Sequence, residues 1–425
     1  MTERKKFFYG WVILIVGFIA VVAGYICRNT FSVFYPAIVE EFSWSRGNTA
    51  LIFSINLLVY GLTAPLVGSL VDRANPRIVL ALGACIMGTG IALCSLASSQ
   101  WQFYLLYGVV ASLGLSIAGW TPVVAIVTNW FVRRRALSMG VLGAGFGTSL
   151  VFAYVAQYLI VNLGWRSAYV AIGIATASII VPLSLIFIRA RPSDMGLYPD
   201  GLTSDQTLEM TRVRDADQSR TEWAKTQWTF RRAIRTRQFW LLFLVAFLLL
   251  GVAEQILIAH QVYFYLDSGF TPLTAASFYS VFGVSFVVGN LSGALSDRTG
   301  RERFFIPACL LCATGSAMLL LLGEGSPAWF PALIAAVTGL SVGAGPCVFY
   351  ATVGDLFHGN NYGAIVGMMV MGFALGGTLS PWLAGYLHDT TGSYFSTYIL
   401  LVVSLLATAT MMWLVAPRKL IPIHR

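Results

Sequence analysis

The sequence predicts an all-α membrane protein with twelve transmembrane helices in two related, pseudo-symmetric halves of six. The composition comes first: 57% of the 425 residues are hydrophobic and only 11% are charged, roughly half the charged share of a soluble domain. Second, apolar runs of about twenty residues, each long enough to span a bilayer, follow one another along the chain. Third, one short charged link between such runs occurs twice, which indicates an internal repeat.

Each apolar run is bounded by charged or turn-forming residues, and each defines one predicted span. The spans begin near Trp11, Thr49, Ile78, Gln102, Ala136, Ser167, Phe239, Ala275, Phe304, Ala328, Gly363 and Phe395. The first run is too long for a cleavable signal peptide and is expected to act as its own insertion signal. The predicted organisation is an N-terminal half (1–188), a polar cytoplasmic linker (189–237) with an amphipathic stretch near 223–232, and a C-terminal half (238–425).

The basic residues are distributed unevenly between the two predicted faces of the membrane. With the N-terminus in the cytoplasm, the even-numbered links and both termini contain all of the 27 Lys and Arg residues except Arg28, Arg46 and Arg166. This bias predicts that both termini are cytoplasmic. It also accounts for the net charge of +9 without a nucleic-acid partner.

The six cysteines all lie within apolar runs, where buried thiols are expected. Cys309 and Cys312 form a CxxC pattern, but no histidine or acidic ligand accompanies them on that span. No metal site and no cofactor is therefore predicted. The chain also lacks a Walker-type phosphate-binding loop and a clustered set of catalytic nucleophiles, so neither ATP hydrolysis nor an enzyme activity is expected.

The repeated link reads GSLVDRANPR at Gly68–Arg77 and GALSDRTGRER at Gly293–Arg303. Its glycines allow two helices to approach, its aspartates can cap a helix end, and its arginines suit the headgroup region. The residues expected to act as gating hinges are Gly68, Asp72, Arg73, Arg77, Gly293, Asp297, Arg298 and Arg301. The motif resembles the loop between helices 2 and 3 of major facilitator superfamily transporters, and its second copy resembles the loop between helices 8 and 9. The resemblance implies the major facilitator fold.

Two further stretches resemble the monocarboxylate transporter and oxalate/formate antiporter branch of that superfamily. They are Tyr9–Trp11 and WFVRRRALSMGVLGAGFGTSL at Trp130–Leu150, in which four glycines form a strip for close helix packing. The Gly-Pro pair typical of drug antiporters is absent from this helix. The sequence departs from the branch at two places. Relatives commonly have an arginine at the position of Gly289, and oxalate/formate antiporters have a lysine in helix 11, whereas residues 363–386 of this chain contain no basic residue. A dicarboxylate held by two cations is therefore not expected.

Two charged residues inside predicted spans are unusual: Arg28 on span 1 and Glu254 on span 7. Charges within the hydrocarbon are costly and normally face a protein interior or a watery cavity. When the second half is aligned on the first so that FSWSRGNTA overlays SGFTPLTAA, Arg28 falls on Glu254. We therefore expect the two side chains to face each other across a central substrate cavity.

Arg28 can grip a carboxylate with two parallel hydrogen bonds. The alternatives are a structural ion pair with Glu254 or extension of its side chain to the membrane surface. Burial favours the neutral form of a carboxyl group, so Glu254 can carry a proton, unless it serves only that static pair. His260 lies about 240° around the helix from Glu254. It can contact substrate or carry a proton, or it can be a packing histidine.

Weaker candidates for the same cavity offer hydrogen bonds or an aromatic wall, although such residues also hold helices together. These are Asn29, Trp120, Tyr279, Asn290 and Tyr350. Asp355 and His358, where span 10 ends, are expected to lie in a loop.

The function expected from these features is secondary active transport of a small organic anion, most simply a monocarboxylate or a zwitterion, by alternating access. Protons are the expected coupling ion, with a counter-substrate as the alternative, and a plasma or bacterial inner membrane is the expected location. Two other functions remain open: export or exchange of neutral or cationic amphiphiles, and ligand sensing without transport.

Overall fold

The computed structural model describes residues 8–131, 134–201, 228–357 and 362–417, and within these ranges every regular element is helical. The membrane-crossing helices are α1 (Gly10–Phe42), α2 (Arg46–Arg73), α3 (Pro76–Leu96), α4 (Gln100–Trp130), α5 (135–163), α6 (165–187), α7 (Arg237–Leu266), α8 (Pro272–Leu295), α9 (Arg301–Leu321), α10 (Trp329–Leu356), α11 (Tyr362–Thr391) and α12 (Phe395–Val415). The twelve predicted spans are confirmed.

Helices α5 and α6 are separated by one glycine. Gly164 has a φ of +77° and a ψ of 154°, a left-handed backbone geometry that a residue with a side chain rarely adopts. The 51-residue apolar segment Leu137–Phe187 therefore reverses direction here and supplies two crossings rather than one. Within α5, the chain also turns at Phe152, between the segments Arg135–Val151 and 153–163.

The two halves repeat in the alignment that the sequence suggested. The start of α2 at Arg46 and the start of α8 at Pro272 are as far apart along the chain as Arg28 and Glu254, and the other pairs of corresponding helices begin at nearly the same separation. Arg28 and Glu254 thus hold corresponding positions in α1 and α7. The proposed boundaries 1–188, 189–237 and 238–425 stay predictions, because much of the linker, including 223–227, lies outside the described residues.

Two helices contain π-helical segments with wider backbone turns. Helix α4 has one at Tyr104–Ala111 and α7 has one at Ala246–Ala253, directly before Glu254. Helix α4 is also broken at Gly119, whose φ of −93° and ψ of −139° are not helical. Segments of this kind are common at functional sites, and both π-helical segments lead towards the buried polar groups described below.

The most extensive contacts between the halves, within the described residues, join α2 with α11, α5 with α8, and α1 with α7. Glycines permit these approaches. The glycine strip of α5 packs as predicted against a neighbouring helix, since Gly143 lies against Asn290 and Gly147 against Phe286 of α8. Gly145 faces α1 instead, and a Cβ atom added at Gly140 would have no neighbour within 4 Å.

The repeated links form short turns. In the first, α2 continues to Arg73, and Asn75 caps α3 by accepting a hydrogen bond from the backbone N–H of Arg77 at 3.1 Å. The cap is therefore Asn75, because Asp72 still lies within the last turn of α2. The side chains of Asp72, Arg73, Asp297 and Arg298 lie outside the described residues. In the second link, Gly300 turns the chain with a φ of +98°.

Candidate functional site

The side chain of Arg28 is buried near the middle of α1, only 3% exposed. Its guanidinium carbon lies 4.9 Å from the ring centroid of Tyr25 and 5.2 Å from that of Tyr60. These rings stabilise the cation by cation–π attraction. Its Nε and Nη1 atoms are buried and make no hydrogen bond to any described residue. Two strong donors are therefore held in place without an acceptor in the described part of the chain.

The tyrosines around Arg28 were not among the predicted site residues. The hydroxyl groups of Tyr25 and Tyr60 are 3.1 Å apart, which links α1 to α2. Tyr107, from the π-helical segment of α4, donates its hydroxyl to the carbonyl oxygen of Arg28 at 3.0 Å. Tyr25 lies three residues before Arg28 and hence on the same helix face, a spacing that could have indicated it. Tyr60 and Tyr107 come from other helices, and no sequence signal connects them to Arg28.

Asn29 connects three helices. Its Nδ2 donates to Ser149 of α5 at 2.8 Å, while its Oδ1 is buried without a hydrogen-bond partner among the described residues. Tyr279 of α8 lies near two carbonyl oxygens, that of Asn29 at 3.2 Å and that of Ile258 of α7 at 3.0 Å. The predicted residues Asn29 and Tyr279 are thus brought together, and their contacts join the two halves beside Arg28.

Glu254 is 6% exposed, and its Oε2 has no hydrogen-bond partner among the described residues. Arg28 is the charged group that acts on it electrostatically. No nitrogen of Arg28 lies within the 4.0 Å of an ion pair, as judged within the described ranges. The structure therefore shows a cation and a carboxylate from opposite halves that are near each other but not bonded.

His260 is fully buried. It lies less than two helical turns after Glu254, about 9 Å away along the axis of α7. Its Nε2 lies 2.8 Å from the carbonyl oxygen of Pro381, and its Nδ1 lies 3.0 Å from the hydroxyl of Tyr394. A carbonyl oxygen can only accept, so Nε2 carries the proton and Nδ1 accepts from Tyr394. Both ring nitrogens are engaged with α11 and with Tyr394, in the arrangement of a packing histidine.

The remaining predicted residues lie at different depths. Trp120 is half-buried at the start of the second segment of α4, after the break at Gly119. Asn290 is 7% exposed and lies against Gly143 of α5. Tyr350 of α10 is half-buried and close enough to Tyr25 to act on it electrostatically. Of these three, Tyr350 is the one that the structure links to a neighbour of Arg28.

The links α1–α2, α3–α4, α5–α6, α7–α8, α9–α10 and α11–α12 share one face of the membrane, here termed the odd-link face. At this face, Arg46 donates from Nη1 and Nη2 to the carboxylate of Asp267 at 2.6 and 2.8 Å. Asp389 accepts from the backbone N–H groups of Arg46 and Gly47 at 2.9 and 2.7 Å. These contacts, the Arg46 cluster, bind α2 of one half to α7 and α11 of the other.

Aromatic rings surround the Arg46 cluster. The guanidinium carbon of Arg46 lies 4.0 Å from the ring centroid of Tyr263 and 5.4 Å from that of Tyr394. Tyr35 of α1 donates its hydroxyl to the carbonyl oxygen of Arg46 at 2.5 Å. The cluster lies about 20 Å beyond Glu254 along α7, judged from the separation of Asp267. It joins the two halves at the odd-link face, a role that sequence analysis did not assign to Arg46.

At the opposite face, the second repeated link is tied to α10. Arg301 donates from Nε to Asp355 at 2.8 Å and from Nη1 to Ser296 at 2.7 Å. Asp355, expected in a loop, lies in the last turn of α10, because that helix continues to Leu356. His358 lies outside the described residues. Gly293 packs against Cys347 of the same helix.

The chemistry of the central site is that of ion and hydrogen-bond recognition. Among the described residues, no group of three or more His, Cys, Asp or Glu side chains is placed to hold a metal ion. Cys27, Cys94, Cys309 and Cys312 are buried as expected, whereas Cys85 is exposed on the surface of α3 and Cys347 is half-buried, contrary to the expectation for all six thiols.

Twelve membrane-crossing helices in two repeats, with a buried cation and a buried carboxylate contributed by opposite halves, define a membrane transport protein. The chain belongs to the Major Facilitator Superfamily, whose sequence profile matches residues 17–347. Members of this family are transporters and not enzymes, as the sequence predicted.

The relatives agree with the branch that the sequence resembled. The chain is 25% identical to monocarboxylate transporter 13 of Rattus norvegicus over 409 residues, covering 96% of this chain and 89% of that protein. It is 27% identical to monocarboxylate transporter 12 of Homo sapiens over 422 residues, covering 95% and 80%.

Solved structures share the fold. A D-xylose-proton symporter superposes with a TM-score of 0.73 at 13% identity, over 98% of each chain. A bacterial homolog of the human lysosomal transporter Spinster, in an inward-facing and occupied conformation, superposes with a TM-score of 0.65 at 18% identity, over 97% of each chain. The major facilitator fold is thereby confirmed.

Proposed function

We propose that the protein is a proton-coupled transporter of a small organic monocarboxylate that works by alternating access. Arg28 binds the substrate carboxylate and Glu254 carries the proton. The protein lies in a plasma or bacterial inner membrane with both termini in the cytoplasm, so the odd-link face is the outer one. The resemblance to monocarboxylate transporters supports the substrate class.

The main support for the proposal is that the buried guanidinium group of Arg28 has donors without acceptors among the described residues. Burying a guanidinium group without a hydrogen-bond acceptor is costly, and such groups are normally paired. Nε and Nη1 nevertheless have no partner among the described residues. These two donors lie on different edges of the guanidinium group, and a carboxylate can bind either edge, Nε with Nη2 or Nη1 with Nη2, through two parallel hydrogen bonds. A bound monocarboxylate would therefore supply an acceptor that the described residues do not.

Glu254 is the better candidate for the proton carrier. Its Oε2 is unpartnered and it lies within electrostatic reach of Arg28, so a proton on Glu254 and an anion on Arg28 influence each other. His260, by contrast, has both nitrogens engaged and would have to break a hydrogen bond to take up a second proton.

Glu254 also supports a second candidate function. An unpaired buried carboxylate attracts cations, so exchange or export of cationic amphiphiles would use Glu254 as the ligand's partner. The charge of the transported compound separates the two functions. A monocarboxylate requires Arg28, whereas a cationic amphiphile requires Glu254 and is hindered by Arg28.

The test is uptake of labelled short-chain monocarboxylates into proteoliposomes, with and without an inward proton gradient. Wild type should show gradient-stimulated uptake. Arg28→Gln should abolish it, and Arg28→Lys, which keeps the charge but loses the planar fork, should retain only part. Arg166→Gln is the matched control, because Arg166 pairs with Glu41 at the odd-link face and away from the central site.

Glu254→Gln should retain carboxylate uptake but lose its dependence on the proton gradient. Well-folded wild type that takes up no monocarboxylate, or that takes it up equally after Arg28→Gln, would overturn the proposal. Uptake of organic cations that requires Glu254 would favour the second candidate.

A further inference from the structure

We propose that the same site also carries a small zwitterion, and that the ammonium group of this substrate takes the place of the co-transported proton. The inference rests on the proposed function, since it uses the same two residues. It adds a second substrate class and predicts that coupling depends on which class is bound.

Two buried groups of opposite charge carry the inference. Arg28 offers unpartnered donors at Nε and Nη1, and Glu254 offers an unpartnered acceptor at Oε2, as judged within the described residues. Both side chains are more than nine-tenths buried, and no ion pair within 4.0 Å joins them. A molecule with a carboxylate at one end and an ammonium group at the other would satisfy both groups at once.

The charge balance of the site explains the link to protons. Without substrate, the positive charge of Arg28 and the negative charge of ionised Glu254 add up to zero. A monocarboxylate adds one negative charge in a buried region, where an uncompensated charge is costly, so a proton on Glu254 restores neutrality. A zwitterion adds no net charge. Its ammonium group pairs with ionised Glu254, and no proton is needed.

Further unpartnered atoms on the same two helices are acceptors. The side-chain oxygens of Asn29, next to Arg28 on α1, and of Gln255, next to Glu254 on α7, are buried without hydrogen-bond partners among the described residues. Their amide nitrogens are already used, that of Asn29 by Ser149 and that of Gln255 by the Leu250 carbonyl oxygen. An alkyl carboxylate has no N–H to give such acceptors. An ammonium group has three.

A matched pair of substrates tests the inference. β-Alanine and butanoate have the same number of heavy atoms in a line, and they differ in having an ammonium or a methyl group at the end distant from the carboxylate. In wild-type proteoliposomes, an inward proton gradient should stimulate butanoate uptake several-fold and leave β-alanine uptake unchanged.

Variants then separate the two modes. Glu254→Gln should lower β-alanine uptake about tenfold or more, because a charge-assisted hydrogen bond is lost, while butanoate uptake continues without gradient dependence. Arg28→Gln should abolish uptake of both. Thermal stability in detergent, equal to that of wild type, shows that each variant is folded.

The outcomes distinguish this inference from the proposed function. Gradient-stimulated butanoate uptake without β-alanine uptake would overturn the inference and leave the proposed function standing. So would β-alanine uptake that follows the proton gradient as strongly as butanoate uptake does, or that survives Glu254→Gln. Uptake of neither compound by folded wild type would overturn both.

Discussion

Glu41 and Asp267 hold corresponding positions in the two repeats, near the ends of α1 and α7, yet they pair in different ways. Glu41 accepts from Arg166 at 2.6 Å and also from the indole N–H of Trp165, both in its own half. Asp267 pairs with Arg46 of the opposite half. At this position, the first repeat therefore has an ion pair within its own half, and the second repeat has an ion pair that joins the two halves at the odd-link face.

This difference predicts that the two ion pairs contribute differently to transport. Arg46→Asp places one more carboxylate next to Asp267 and Asp389, so the contact between the halves at the odd-link face is destabilised and uptake should fall about tenfold or more. The double variant Arg46→Asp/Asp267→Arg restores opposite charges and should recover part of the uptake. The measurement is initial uptake rate per reconstituted protein.

Glu41→Gln is the control for that experiment. The side chains of Arg166 and Glu41 are 42% and 41% exposed, and exposed ion pairs contribute about 0–1 kcal/mol. Uptake should therefore stay close to wild type. A double reversal no better than the single reversals would show that the Arg46–Asp267 pair does not join the halves during transport.

Loss of the Asp389 carboxylate should lower the stability of the protein by a separate route. Its carboxylate accepts the backbone N–H groups of Arg46 and Gly47 at the start of α2, so it acts as an N-terminal cap supplied by α11. Asp389→Ala removes both acceptors and should cost about 1–2 kcal/mol. Thermal unfolding in detergent measures this loss. Asp389→Asn keeps one acceptor oxygen and should lie between the two, and an unchanged midpoint for Asp389→Ala would contradict the capping role.

Tyr60 allows the ring and the hydroxyl to be tested separately. Tyr60→Phe keeps the ring near Arg28 and removes the hydrogen bond to Tyr25, which should weaken substrate binding by about 1 kcal/mol, roughly fivefold in KM. Tyr60→Leu removes the cation–π contact as well and should have the larger effect. Equal KM values for both variants would mean that the ring does not hold Arg28 in place.

The sequence predicted the fold well because bilayer thickness leaves few solutions for long apolar runs. It also pointed to Arg28 and Glu254, since charges inside a span are rare and need a reason. It did not predict the Arg46 cluster. From the sequence, Arg46 informs only the topology, because its partners Asp267 and Asp389 lie in the other half of the chain and meet it only when the halves dock.

The same limit applies to the tyrosines that surround Arg28. Aromatic residues are frequent in every span, and only packing decides which of them face a buried charge. The position of His260 shows the opposite case. Its residue type suggests proton chemistry, but the location of Pro381 on α11 and of Tyr394 just before α12, both far along the chain, decides what its ring nitrogens contact.

Close packing of α7 against α11 gives the last prediction. A Cβ atom at Gly376 would come within 2.4 Å of the carbonyl oxygen of Phe247, and one at Gly251 within 2.7 Å of the Cα atom of Gly376. Backbone atoms cannot move aside as a flexible side chain can. Gly376→Val should therefore push the helices apart beside Glu254, destabilise the protein by about 1–3 kcal/mol, and lower uptake.

Gly367 provides the matched control on the same helix. It is exposed, and a Cβ atom there would have no neighbour within 4 Å. Both substitutions introduce the same β-branched residue into α11, so they share its small intrinsic cost in a helix. The difference between their unfolding midpoints therefore reports helix packing alone. If Gly367→Val lowered the midpoint and the uptake as much as Gly376→Val, close contact between α7 and α11 would not be what holds Glu254 in place.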